Sequence, residues 1–143
     1  MRHAVTLLLG ALAVLGDSGE CLGQGLERAA ATFADQWVGG QASALQSRLA
    51  PGGIQIQLGG RPLGVLDPRH AGASIQEYLS DREAVGARVS RVEQVGADPP
   101  TGYAEIRWES RVIGTSEVVT RTVFVAFVSQ EGTWRVTELR VLP

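Results

Sequence analysis

The chain contains no lysine: all 13 of its basic residues are arginine. Schiff-base and lysine general-base chemistry are therefore excluded. The arginines are scattered rather than clustered, and the formal net charge is -2. No basic stripe is present of the kind that neutralises phosphates along a nucleic acid. Cysteine is nearly absent, Cys21 being the only one, so no disulfide can form within the chain and burial must hold the fold. Histidine is scarce too. His3 and His70 are the two present, and with one cysteine and dispersed carboxylates no metal-ligand spacing appears. No glycine-rich phosphate loop leads into a helix and no nucleophile elbow is present, so neither a metal nor an organic cofactor is expected. The longest apolar run, Ala4–Leu15, is short of the roughly 20 residues that span a bilayer.

That run nevertheless has an order. It follows the basic start Met1-Arg2-His3 and precedes the small residues of "GDSGECLGQG", which is the layout of a secretory signal peptide. Residues 1–25 are expected to be removed and residues 26–143 to form one exported domain, periplasmic or secreted, with no membrane attachment after cleavage. Cutting there also removes Cys21, a lone thiol being awkward in an oxidising compartment. Lipid attachment to Cys21 is the rival, weakened by Glu20 standing where a small residue is wanted. Without Arg2, Asp17 and Glu20 the mature chain carries 12 basic and 13 acidic residues.

The mature chain reads as helices first and strands last. Leu26, Ala30, Phe33 and Trp37 form one apolar stripe over residues 26–38, ended by Gly39-Gly40. A short second helix fits 41–50, with Ala42, Leu45 and Leu49 on one side. Ile54, Ile56 and Leu58 alternate with Gln55 and Gln57, as in a half-buried strand. Residues 61–72, with two prolines and two glycines, read as loop. A third helix fits 73–82, with Ser74 and Glu77 at capping-box spacing. Strands follow at 87–97, 103–112, 118–130 and 134–143. The order predicts an α+β domain with its helices packed on one face of a curved, mostly antiparallel sheet.

Three segments carry a family resemblance: "FADQWVGGQASALQSRLAPGGIQIQLGG", "ASIQEYL" and "VFVAFVSQEGTWRVTELRV". Together they resemble the NTF2-like superfamily, the cystatin-like cone fold that includes SnoaL-like and ketosteroid-isomerase-like proteins. The resemblance spans the mature chain and implies that the last strand is central to the sheet, with Trp134 plugging the cone. It says little about activity, because this fold hosts isomerases, dehydratases, binding modules and assembly domains.

Enzymes of that group place an acidic base inside an apolar cone. The expected inward faces here carry Ile106, Trp108, Phe124, Ala126, Trp134 and Val136, with Ser110, Thr122 and Glu138 as polar members of the same registers. Phe33, Trp37, Trp108, Phe124 and Trp134 are the expected ligand-binding residues. Glu138 is a candidate base if the last strand keeps its alternation; a bulge near Thr137 would instead send Glu138 to solvent and turn Leu139 and Val141 inward. His70 is the second candidate base, although its setting in "DPRHAG" also suits a solvated loop. Two functions follow: a non-catalytic domain that binds a small apolar ligand or assembles with a partner, or a SnoaL-like isomerase or dehydratase acting on a hydrophobic molecule.

Residues 118–130 are apolar on both faces. Placing Phe124 inward leaves Val123, Val125 and Phe127 outward, joined by Leu139 and Val141 if those also face out. An outer patch of this kind predicts a homodimer through the sheet, unless residues 61–73 fold over it.

Overall fold

The computed structural model describes residues 18–143, with side chains from residue 23 onward. Residues 1–17 of the expected signal segment therefore lie outside the described residues. Helix α1 spans Ser18–Val38 and α2 spans Ala42–Gln46, so α1 begins earlier than its apolar stripe required. That stripe is buried as expected: Leu26, Ala30, Phe33 and Trp37 are all closed to solvent. A hairpin of β1 (Ile54–Leu58) and β2 (Arg61–Leu66) follows, then α3 (Pro68–Ser80) and the strands β3 (Arg82–Ala97), β4 (Pro100–Val112), β5 (Val119–Gln130) and β6 (Thr133–Leu142).

The six strands form one sheet in the order β2-β1-β6-β5-β4-β3. All neighbours are antiparallel except β1 and β6, which run parallel. The chain's last strand thus sits between β1 and β5, paired on both sides, which explains why it ends on an apolar alternation instead of a frayed tail. Residues just after α2 reinforce the same strand: Ala50 N–H donates to Val136 O, and Val136 N–H donates to Arg48 O.

Two features expected as loop are ordered. β2 was concealed by Pro62 and Gly64, both poor strand formers. It is an edge strand, where proline's missing donor faces away from the ladder, and its pairing with β1 slips between Ile56 and Gln57. Gly59 and Gly60, with φ of 58° and 83°, make the two-residue turn that needs positive φ at both positions. α3 begins at Pro68, not near Ser74. Asp67 is its N-cap, accepting from the His70 N–H at 2.9 Å, and Pro68 has the φ that a first helical residue needs. Ser74 and Glu77 lie inside the helix and form no capping box.

Bulges curl the sheet. β3 leaves Val85, Ser90 and Val95 without partners on β4, and each extra residue bends the strand and increases its twist. β3 thereby curves against α1. Where α1 meets β4 the approach is close: a Cβ on Gly102 would stand 2.4 Å from Leu26 Cδ2 and 2.7 Å from Glu93 O. Only glycine fits there.

The faces of β5 correct the sequence expectation. Ile106 pairs with Val123, Ala104 with Val125 and Gly102 with Phe127. Paired residues share a face, so Val123, Val125 and Phe127 face the helices and are buried. Phe124 and Ala126 point to the outer, convex face. β6 takes the bulged form: Phe127 pairs with Val136 and Ala126 with Glu138, leaving Thr137 as the extra residue. Leu139 and Val141 turn inward and are fully buried. Residues 61–73 form β2 and the start of α3 rather than a strap over the outer face.

Candidate functional site

The concave side of the sheet closes around an aromatic cluster. Trp37 arrives from the last turn of α1, Trp108 from β4 and Tyr78 from α3. The Trp37 and Trp108 rings meet edge to face at 5.4 Å. Tyr78 stands 6.4 Å from Trp37 and 6.0 Å from Trp108, and Phe33 stacks on the far side of Trp37 at 6.0 Å. Both tryptophans are 1% exposed. The α-helical stripe explains the first pair, four residues apart; the alternation of β4, inward at Ala104, Ile106 and Trp108, explains the third member.

Arg82 closes this cluster at the start of β3. Its guanidinium lies over the Tyr78 ring, 4.0 Å from the centroid, and its Nη1 donates at 2.7 Å both to Tyr78 O and to Asp81 Oδ1. Four polar side-chain atoms here are buried without a hydrogen-bond partner: Trp37 Nε1, Tyr78 OH, Arg82 Nε and Trp108 Nε1. Burial pushes the Tyr78 hydroxyl above its ordinary pKa, opposed by the positive charges of Arg82 and Arg121. Arg121 lies opposite Trp108 on β5.

In front of Tyr78 is a cleft of about 340 Å³, lined by Leu58, Arg61, Leu63, Ser74, Glu77, Tyr78, Asp81 and Arg82. That is near the lower end of small-molecule sites. A wider hollow of about 410 Å³ lies along β3 and β4, lined by Gly86, Ala87, Arg88, Arg107 and Glu109. It has no apolar side chain larger than alanine in its lining, whereas the first cleft has Leu58, Leu63 and Tyr78. The Tyr78 cleft is therefore the candidate site.

Of the five aromatic residues expected to converge, three do: Phe33, Trp37 and Trp108. Phe124 is on the outer face, stacked on Tyr103 at 5.4 Å. Trp134 is buried at the opposite end of α1. Its indole lies beside Gly25, twelve residues before Trp37 and so about 18 Å away along the helix. Trp134 thus seals one end of the core without plugging the cone beside Trp108.

Neither candidate base enters the cone. Glu138 follows the Thr137 bulge onto the outer face, where it pairs with Arg140. His70 is on the first turn of α3, with its side chain 73% exposed and paired with Asp67. That His70 contact, backbone hydrogen bond first, holds the Asp67 carboxyl below its ordinary pKa. Ser110 is the one buried polar residue among the described residues, and no carboxylate shares the interior with it. Tyr78 and Arg82 were not foreseen as site residues. Their signal was legible: a tyrosine near the end of a helix and an arginine four residues on, the spacing at which a cation reaches back over a ring.

No family profile and no curated protein sequence matches the chain. Solved structures do. The Kfla4162 protein from Kribbella flavida superposes with a TM-score of 0.70 at 15% identity, covering 87% of this chain and 91% of that one. A domain of unknown function with a cystatin-like fold from Nostoc punctiforme gives 0.66 at 12% identity, covering 82% and 76%. A protein designated Rd1NTF2_05 gives 0.61 at 11%, covering 87% and 99%. The chain has the NTF2-like, cystatin-like cone fold that its sequence resembled, helices on a curved and mostly antiparallel sheet. At these identities the likeness speaks for the fold alone.

Proposed function

We propose that this domain is a binding module that takes a small, largely apolar ligand in the cleft before Tyr78. The observation that carries the reading is the cleft wall itself: Tyr78, backed by the buried Trp37 and Trp108, lines it together with Leu58 and Leu63. The isomerase or dehydratase reading is weaker because its two candidate bases stand outside the cone, Glu138 paired with Arg140 on the outer face and His70 exposed on α3. Export of the domain is part of the proposal, supported by the basic start and the apolar run Ala4–Leu15.

Binding is testable with an environment-sensitive dye. Anilinonaphthalene sulfonate added to the purified protein is expected to saturate at about one dye per chain, quenching tryptophan emission as it does so. Leu63→Arg fills the cleft and should abolish the response while the far-UV circular dichroism stays unchanged. Dye binding that survives Leu63→Arg would place the ligand elsewhere.

The outer face supports a second element of the proposal, assembly of two copies through the sheet. Tyr103 and Phe124 form an aromatic pair there, flanked by Arg91 over Tyr103 and Arg140 over Phe124. Glu93 accepts from both Arg91 and Tyr103, and Glu138 pairs with Arg140. The Glu93 carboxyl is held low by those two hydrogen bonds, that from Tyr103 foremost. A face that alternates cations and anions about an aromatic centre is complementary to its own two-fold image. The dimer surface is thus Tyr103 and Phe124, not the buried Val123, Val125 and Phe127.

A further inference from the structure

We propose that a separate hollow, at the end of the core sealed by Trp134, is a binding site for a phosphate group. It holds about 340 Å³, and its lining includes Gly25, Arg28 and Thr32 of α1, Arg48 of the segment after α2, and Thr133 and Trp134 at the start of β6.

The lining has two guanidiniums and no carboxylate. Four other hollows each carry an acid: Glu77 and Asp81 before Tyr78, Glu109 between β3 and β4, Glu131 beside Pro51, and Glu27 beside Val89. Nor do the two arginines find an acid elsewhere. The ion pairs among the described residues engage five other arginines, and neither Arg28 nor Arg48 belongs to one. Two cations sharing one hollow with no acid in its lining are the complement of an anion.

Arg48 is half-buried and held in place. Its Nε donates to Gln36 Oε1 at 2.6 Å, and its backbone oxygen accepts from Val136 N–H. A glutamine orients the guanidinium without neutralising it. The N–H donors on both terminal nitrogens are left for a ligand, in the fixed fork that matches an oxyanion. Trp134 adds an indole donor. A Cβ on Gly25 would stand 3.1 Å from its Nε1. Glycine is a poor residue for a helix interior, and here the absent side chain leaves that edge of the indole uncovered. Cleavage after Gly25 would put the Leu26 α-amino group in its place, a further positive charge at neutral pH.

The donors come from three segments and not from one plane. A carboxylate offers two coplanar oxygens. A phosphate offers three oxygens in a tetrahedral array and nearly two negative charges, so more than one fork can engage it at once. The source of that phosphate is a free ion or a small ester.

The test titrates the purified protein with phenyl phosphate, inorganic phosphate and benzoate at fixed ionic strength, following both heat and the indole N–H resonances. Both phosphates are expected to bind with dissociation constants below about 1 mM, about tenfold or more tighter than benzoate. They should move the Trp134 resonance and leave Trp37 and Trp108 in place. A further tenfold advantage for phenyl phosphate, about the size of one added contact, assigns the site to esters; equal affinity assigns it to the free ion. Arg28→Gln and Arg48→Gln should each weaken phosphate about tenfold or more, the loss of a charge-assisted hydrogen bond. Arg88→Gln, in the β3–β4 hollow, should change it by less than about twofold. Arg28 is exposed, so its variant carries the test should Arg48→Gln fail to fold. Benzoate as tight as phosphate, an equal loss in Arg88→Gln, or no phosphate binding at millimolar concentration would overturn the site. A dye's sulfonate is an oxyanion too, so the dye titrations of the Tyr78 cleft belong in phosphate buffer, which keeps this hollow filled.

Discussion

Phe127→Glu will unfold the protein, whereas Phe124→Glu, three residues earlier on the same strand, will leave it folded. Phe127 is 2% exposed and lies against Gly102 and Val136. Losing its ring from the core costs about 3–5 kcal/mol, and desolvating the new carboxylate adds to that. Together these approach the roughly 5–15 kcal/mol by which a domain is stable at all. Phe124 is half-buried on the convex face with Arg140 over its ring, so a glutamate there meets solvent and a cation and should cost no more than about 1 kcal/mol. Urea midpoints followed by circular dichroism check both. The same Phe124→Glu protein reads out assembly. A dimer at tens of micromolar that becomes a monomer in sedimentation places the interface at Tyr103 and Phe124. Similar midpoints for the two variants would mean that β5 presents its other face to the helices.

Trp108→Ala is the second large effect, expected to lower stability by about 3–5 kcal/mol. Its ring holds Trp37 edge to face and touches Tyr78, so its loss opens a cavity where three elements meet. Trp108→Phe should cost less than half as much. It keeps most of the packing and removes a donor that is buried without a partner, which itself carries a penalty of about 1–3 kcal/mol. Denaturation followed by the emission of the remaining tryptophans separates the two. If Trp108→Phe proves as damaging as Trp108→Ala, the indole N–H has a partner in the folded protein and its loss outweighs the packing that the phenyl ring keeps.

How much of this was legible in the sequence depended on whether one periodicity stood alone. The α1 stripe and the β1 alternation had no competitor, and their buried sets are those expected. On β6 the alternation allowed two outcomes that differed by one residue at Thr137, and only pairing with β5 selected the bulge. On β5 the pattern was silent. Val123 to Val128 is apolar at every position, so a period of two cannot choose a face. The choice came from the register with β4, and no local propensity records that. The error then propagated: with Phe124 wrongly inward, the buried Val123, Val125 and Phe127 looked like an interface. The Asp67-Pro68 start of α3 was readable as N-cap and first helical residue, but the prolines and glycines around it argued for loop. The donor cluster lay beyond sequence reasoning altogether, since a tryptophan's missing acceptor is defined by what surrounds it in space.

Ligand binding before Tyr78 is read most directly from the indole N–H resonances of Trp37, Trp108 and Trp134, followed by nuclear magnetic resonance during a titration with anilinonaphthalene sulfonate. The Trp37 and Trp108 rings stand 6.4 and 6.0 Å behind Tyr78, so their resonances are expected to move together and saturate, while Trp134, about 18 Å away along α1, stays in place. Movement of Trp134 alone, or no movement of any indole at saturating dye, would contradict binding in this cleft.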